Sequence, residues 1–223
     1  MKQKTIAIIP ARGNSKRLPN KNMKLLGGIP LLVYSINYAK QHDFIDAIYV
    51  STDHKEIKNI ALKHGAKVID RPNQLSGDLE PTVTALKHVL ESIEDQVENV
   101  VLLQPTNPLR PKNLLRDAFE KYISNNFESL FTVSRNEQKF GTIDNHMFKP
   151  FNYSIGQRSQ DMQPLYFENG LLYITKANSI LKKDIITIDA YPLIVEHPFA
   201  SIDIDTQDDF DLAEFMLKKY KNE

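Results

Sequence analysis

Cysteine is absent from the 223-residue chain, glycine is sparse at 8 residues, and neither sign of charge prevails: 28 Lys and Arg face 28 Asp and Glu. Without thiols there are no disulfides, no thiolate metal centre and no cysteine nucleophile, a composition compatible with a reducing cytoplasm. Zero net charge removes the long-range pull expected toward nucleic acid or an anionic membrane. No stretch approaches the roughly 18 apolar residues that cross a bilayer, and Met1 leads straight into a strand-like pattern with no secretory leader. The expectation is a cytoplasmic protein with neither nucleic acid nor membrane as partner. A hydrophobic fraction of 41% and a charged fraction of 25% are those of an ordinary globular chain. The length suits one domain over residues 1–223 with room for a small excursion.

What the chain does contain is an alternation of buried-strand and helical patterns. Strands are predicted over residues 5–11, 47–52, 67–70, 99–104 and 129–133, and helices over 30–41, 54–64 and 81–94. A further helix begins at Pro111, its buried stripe formed by Leu114, Leu115, Ala118, Phe119 and Tyr122. This succession predicts an α/β fold, a doubly wound and mostly parallel sheet with helices on both faces. Regularity fails between about residues 137 and 168, read as an inserted lid or dimer contact. Strand character returns at 170–175 and 192–196, a short extended piece covers 201–205, and a helix over 206–220 closes the chain. Thr206 and Asp209 resemble a weakened capping box.

Three segments carry the chemistry. The first is Ile9-Pro10-Ala11-Arg12-Gly13-Asn14-Ser15-Lys16-Arg17-Leu18-Pro19-Asn20-Lys21-Asn22, a cationic loop with no acid, directly after the first strand. Backbone N–H groups and basic side chains at a strand end suit a triphosphate, with Gly13 allowing close approach; the bland reading is a solvated basic turn. It is neither a Walker A loop nor a dinucleotide fingerprint. The second is Gln104-Pro105-Thr106-Asn107-Pro108-Leu109-Arg110, whose prolines stiffen a turn that holds Gln104 and Thr106, or merely precedes a helix. The third is Ser201-Ile202-Asp203-Ile204-Asp205-Thr206. An extended backbone sends Asp203 and Asp205 to one side and the isoleucines into the core. Paired carboxylates suit a hard divalent cation, unless Asp205 simply caps the last helix.

With Val50-Ser51-Thr52-Asp53, Arg71-Pro72 and Glu168-Asn169-Gly170, these segments run nearly the whole length of the chain. In that order and spacing the sequence resembles the acylneuraminate cytidylyltransferases, which make CMP-sialic acid and relatives such as CMP-legionaminate. The resemblance implies a Rossmann-like nucleotide-sugar transferase fold, CTP and an acidic nine-carbon sugar as partners, Mg2+ as cofactor, and a homodimer. By that resemblance Arg12, Gly13, Ser15, Lys16, Lys21 and Asn22 hold the nucleotide, and Arg71, Gln104 and Thr106 are further substrate-binding positions. Gln104 and Arg158 are the candidates for the sugar side, Arg158 is followed by Gln160, a further substrate-binding position, and by Asp161, and Asp203 and Asp205 are the metal ligands. Arg12, Lys21, Arg158 and Asp205 are the expected catalytic groups. His54, His64 and His88 fall on helix surfaces, with no base among them. Phe167, where relatives often carry a basic residue, and Glu80-Pro81-Thr82, where they often carry paired serines, depart from the family pattern. Gly13 and Pro105 argue against a Kdo acceptor. The implied reaction is attack of an anomeric hydroxyl on the α-phosphate of CTP. The alternatives are CMP-legionaminate rather than CMP-N-acetylneuraminate synthesis, another base or acceptor, and a catalytically silent sugar-nucleotide binder.

Overall fold

The computed structural model describes residues 4–220, so the reading at Met1 lies outside the described residues. The apolar run after Lys4 forms β1 (Lys4–Pro10), followed by a small hairpin of β2 (Leu25–Leu26) and β3 (Ile29–Pro30). Then come α1 (Leu31–Lys40), β4 (Ala47–Thr52), α2 (Lys55–Lys63), β5 (Lys67–Asp70), α3 (Thr82–Ser92) and β6 (Val97–Leu102). The second half holds α4 (Leu114–Ser124), β7 (Ser129–Asn136), β8 (Gly141–Asp144), β9 (Met147–Pro150), β10 (Leu165–Lys176), α5 (Ala177–Leu181), β11 (Tyr191–Ile194) and α6 (Gln207–Lys219).

Seven strands form the central sheet in the order β11-β7-β10-β6-β1-β4-β5. Neighbours run parallel except β10, which is antiparallel to both β6 and β7. Alternation along the strands decides which helices they meet. Ile6 and Ile8 join Val100 and Leu102 beneath α3 and α5, whereas Ala7 and Ile9 join Val101 and Leu103 beneath α1, α2 and α4. The α/β class and its helices on both faces are as expected.

A third apolar cluster positions the site. Leu18 and Leu26 of the amino-terminal loop pack with Leu109, Ile202, Ile204 and, from α6, Phe210 and Ala213. Three distant pieces of chain are thereby clamped together. The start of α6 is fixed by a reciprocal capping box: Thr206 Oγ1 accepts from the Asp209 N–H, and Asp209 Oδ2 accepts from the Thr206 N–H at 2.8 Å.

Two local expectations, at residue 201 and at the start of β10, need correction, and the irregular stretch carries short strands as read. Residues 198–201 form a short 3-10 helix rather than the start of an extended piece, although the predicted alternation survives: Ile202 and Ile204 are buried, and Asp203 points outward. The irregular stretch contains a two-stranded ribbon, β8 paired with β9. β10 begins five residues before the predicted Gly170, because its first part pairs with β7 beyond the core, where Tyr166 and Phe167 stay exposed and no alternation marks the strand. Between Glu168 and Tyr173 the register shifts, and Gly170 takes φ 75°. A Cβ there would lie 2.9 Å from Asn107 Oδ1. Gly170→Ala is therefore expected to cost about 1–3 kcal/mol in urea unfolding; an unchanged midpoint would contradict this.

Candidate active site

After β5 the chain returns past β1 to β6, so the carboxyl ends of β1 and β6 bracket the crevice where open α/β sheets take ligands. The loop leaving β1 is held by its own contacts. The Asn22 side chain donates to Arg12 O at 2.9 Å, and the Gly13 N–H donates to Asp53 Oδ1 at 2.8 Å. That corrects the expectation of free N–H groups at Gly13. The glycine is required by the protein itself, because a Cβ would sit 2.6 Å from the His54 ring. His54 consequently covers the loop instead of standing on a solvent-facing helix surface.

Beside this loop lies a cavity of about 240 Å³ whose walls include Arg12, Lys21, Asn22, Arg71, Gln104 and Thr106, all selected from sequence. Glu80, Pro81 and Thr82 also line it, so the departure from the family pattern falls on the wall itself. Arg71 donates to Ser51 O at 2.9 Å; its Nε is buried without a partner, and burial lowers its pKa against the opposing pull of Asp53. Gln104 is fixed from behind by Arg110, whose guanidinium donates to Gln104 O at 2.8 Å, Leu171 O at 2.7 Å and Ser35 Oγ at 3.1 Å. Complete burial draws the Arg110 pKa down to about 10, which leaves it charged at neutral pH. Gly13, Ser15, Lys16, Asp203 and Asp205 are not among the wall residues. A larger groove of about 1370 Å³, beside His42, Arg116 and Tyr220, contains none of the sequence-selected residues.

Sequence reasoning missed Asp78. Its carboxylate pairs with Arg12 at 2.8 Å and with Lys16 at 2.5 Å, and Arg12 also donates to Gly77 O at 3.2 Å. An internal acid thus occupies two of the loop's cations. The Lys16 hydrogen bond is the main cause holding Asp78 below the usual carboxylate range.

The carboxyl-terminal aspartates meet the same loop. Lys21 Nζ donates to Asp205 Oδ1 at 2.8 Å and to Ile204 O at 2.9 Å, while Arg17, another group not selected, pairs with Asp205 Oδ2 at 2.6 Å. Among the described residues Asp203 has no comparable ion pair. Loss of water around its carboxyl group raises its pKa, and the neighbouring Asp205 and Asp209 add to this; the Thr106 hydroxyl and Lys21 oppose it. Glu168 accepts a hydrogen bond from the buried Tyr173 hydroxyl. That hydroxyl is pushed up by burial first, then by Glu168 and the charge of Asp203.

Arg158 and Gln160 stand apart. Both are exposed on the excursion, and Arg158 forms a two-pronged pair with Asp161, Nε to Oδ2 at 2.7 Å and Nη2 to Oδ1 at 3.1 Å. Neither lines the cavity. Of the two expected sugar-side residues, the fold brings Gln104 to the cavity beside the nucleotide loop and leaves Arg158 away from it.

Comparison with known proteins identifies the family and the fold. A family model described as cytidylyltransferase matches residues 6–222. The N-acylneuraminate cytidylyltransferase of Streptococcus agalactiae serotype III is 36% identical over 215 residues, covering 93% of this chain and 52% of that protein. The chain spans about half the length of that relative. The pseudaminic acid cytidylyltransferase of Campylobacter jejuni serotype O:23/36 is 34% identical over 226 residues, covering 96% of this chain and 97% of that protein. A solved CMP:2-keto-3-deoxy-manno-octonic acid synthetase shares the fold at TM-score 0.73 and 14% identity, covering 97% of this chain and 99% of that one. Matched from its first core strand to its last helix, the chain belongs to the cytidylyltransferase family.

Proposed function

We propose that this chain transfers CMP from CTP to the anomeric hydroxyl of a nonulosonic acid and releases pyrophosphate. The observation that carries this reading is the single cavity walled by Arg12, Lys21, Asn22, Arg71, Gln104 and Thr106, joined at its edge to the aspartate arm through Lys21. The hydroxyl oxygen forms a bond to the α-phosphorus, the bond to the β-phosphate bridge breaks, and the hydroxyl proton leaves to solvent. Such transfer depends on position and charge neutralisation more than on covalent catalysis. Arg12, Lys16 and Lys21 neutralise the departing pyrophosphate. The orphaned Nε of Arg71 offers a donor inside the cavity wall. The pseudaminic acid cytidylyltransferase relative, matched over nearly its whole length, supports an acidic nine-carbon acceptor.

The donor set suits Mg2+. Among the described residues no group of three or more His, Cys, Asp or Glu is placed to hold a metal, but Mg2+ takes only one or two carboxylates and fills its shell with water and phosphate oxygens. Asp203 holds an open carboxylate crowded by like charge, which a cation relieves. Asp205 is already matched by Lys21 and Arg17, so its part is to share or exchange those cations. When bound, Mg2+ supplies electrophilic neutralisation of phosphate oxygens.

The excursion exposes Ile143, Met147, Phe148, Phe151 and Ile155. This supports its reading as a lid or homodimer contact, which sedimentation of the protein with and without residues 141–150 tests. Among the described residues no helix is long and apolar enough to cross a membrane.

The function is tested by incubating the protein with CTP, Mg2+ and a panel of N-acetylneuraminic, legionaminic, pseudaminic and Kdo acids, with mass detection of products. One nonulosonic acid is expected to yield its CMP conjugate and equimolar pyrophosphate; Kdo is expected to yield none. No conjugate with any acid would sink the reading. Asp78→Asn frees Arg12 and Lys16 for the nucleotide and is expected to lower the KM for CTP about two- to fivefold, the scale of an exposed ion pair. A raised KM would show that Asp78 assists binding instead.

A further inference from the structure

We infer that Asn107 is a positioning residue: its amide fixes the backbone that carries Asp203 against the Gln104–Thr106 wall of the cavity. The inference rests on the CMP-transfer reading for its effect on rate, though not for its effect on structure. Asn107 is 1% exposed and does not line the cavity. Both protons of its amide are used. Nδ2 donates to Ile202 O at 2.8 Å, one residue before Asp203, and to Asn169 O at 3.2 Å. Its Oδ1 accepts from the Thr106 hydroxyl at 3.2 Å.

Thr106 completes the clamp. Its carbonyl accepts from the Ile204 N–H at 2.8 Å, one residue after Asp203. Its single hydroxyl proton serves Asn107 Oδ1 and the Asp203 carboxyl in turn. Asp203 is thus gripped on both sides along the chain by two consecutive residues of one turn.

The far end of the clamp is anchored in the sheet. The Asn169 side chain accepts from Thr132 Oγ1 at 2.6 Å and from the Leu171 N–H at 3.2 Å, and donates to Ser134 Oγ at 3.0 Å. Ser134 in turn donates to Val195 O at 2.9 Å. Gly170 makes room, because a Cβ there would press on Asn107 Oδ1 at 2.9 Å and on Gln104 Oε1 at 3.3 Å. This gives the Glu168-Asn169-Gly170 segment a structural reason: Asn169 ties Asn107 to the sheet, and Gly170 admits it. An aliphatic residue at 107 would leave the Ile202 and Asn169 carbonyls unpaired and the aspartate arm free to drift.

The test combines amide hydrogen exchange with kinetics on wild type, Asn107→Ala and Asn107→Ser. In Asn107→Ala, exchange at Ile204 is expected to quicken about tenfold or more while α6 stays protected. The kcat at saturating Mg2+ is expected to fall about 10- to 100-fold, the scale of an ångström-sized misplacement, with the KM for CTP changed less than about threefold. Asn107→Ser keeps a shorter donor that reaches Ile202 O only when the arm shifts toward it, and is expected to recover part of the exchange protection; it also serves should the alanine variant fail to fold. Unaltered exchange at Ile204, or a KM that rises as far as kcat falls, would overturn the inference. If wild type releases no pyrophosphate yet the exchange effect is present, the positioning stands and the CMP-transfer reading falls.

Discussion

Asp203→Ala is expected to lower pyrophosphate release at least about 10³-fold, the loss that follows when several kcal/mol of metal-assisted charge stabilisation is removed, with little change in melting temperature. The asymmetry follows from the local architecture. Ile202 and Ile204 are buried and keep the backbone in place, while the Asp203 carboxyl makes no salt bridge among the described residues and feels Lys21 only at longer range. The same group sets a pH dependence. Desolvation, with Asp205 and Asp209 adding, raises its pKa, so the ionised form is lost as pH falls at a point where ordinary aspartates are still charged. At limiting Mg2+ the rate should therefore decline on the acid side above the usual aspartate range, and saturating Mg2+ should move that decline to lower pH. A rate within tenfold of wild type for Asp203→Ala would remove this residue from the reaction.

Lys21→Met is expected to cost both activity and stability. The Lys21 side chain is only 11% exposed, spans Ile204 O and Asp205 Oδ1, and lines the cavity. Truncating one partner of a largely desolvated, hydrogen-bonded pair costs about 2–5 kcal/mol. Arg17 remains on Asp205 from its exposed side and recovers part of this. The kcat/KM for CTP should drop about 10²- to 10³-fold through loss of the cation beside the triphosphate, and the melting temperature should fall measurably. Methionine keeps the apolar stem, so packing loss is not the cause. Steady-state kinetics with calorimetric melting checks this; a loss of stability with kcat/KM intact would make Lys21 structural only.

The contrast between these two residues and the rest shows what a sequence discloses. Val100 to Leu103 read as a strand because both sheet faces there are covered. The alternation Ile202-Asp203-Ile204-Asp205 read correctly as a buried and an exposed side, even though the backbone is not a strand. These are local signals. Asp78 was invisible because its meaning comes from Arg12 and Lys16, more than 60 residues away in the chain. The His54 ring, which leaves no room for a Cβ at Gly13, is a demand on that glycine that the local sequence does not show. Arg110 and Asn107 sat inside a quoted motif, yet their burial and their four backbone carbonyl partners appear only once β10 and the 202–205 arm are folded beside them. The start of β10 escaped notice because a strand exposed on both faces has no periodic pattern.

The most direct measurement is a crystal structure with CTP and Mg2+ bound. The account predicts a triphosphate lying between Lys21 and Asp203, its phosphates having displaced Asp78 from Arg12 and Lys16. A nucleotide seated elsewhere, such as the groove beside His42, with the Asp78 pairs intact, would contradict it.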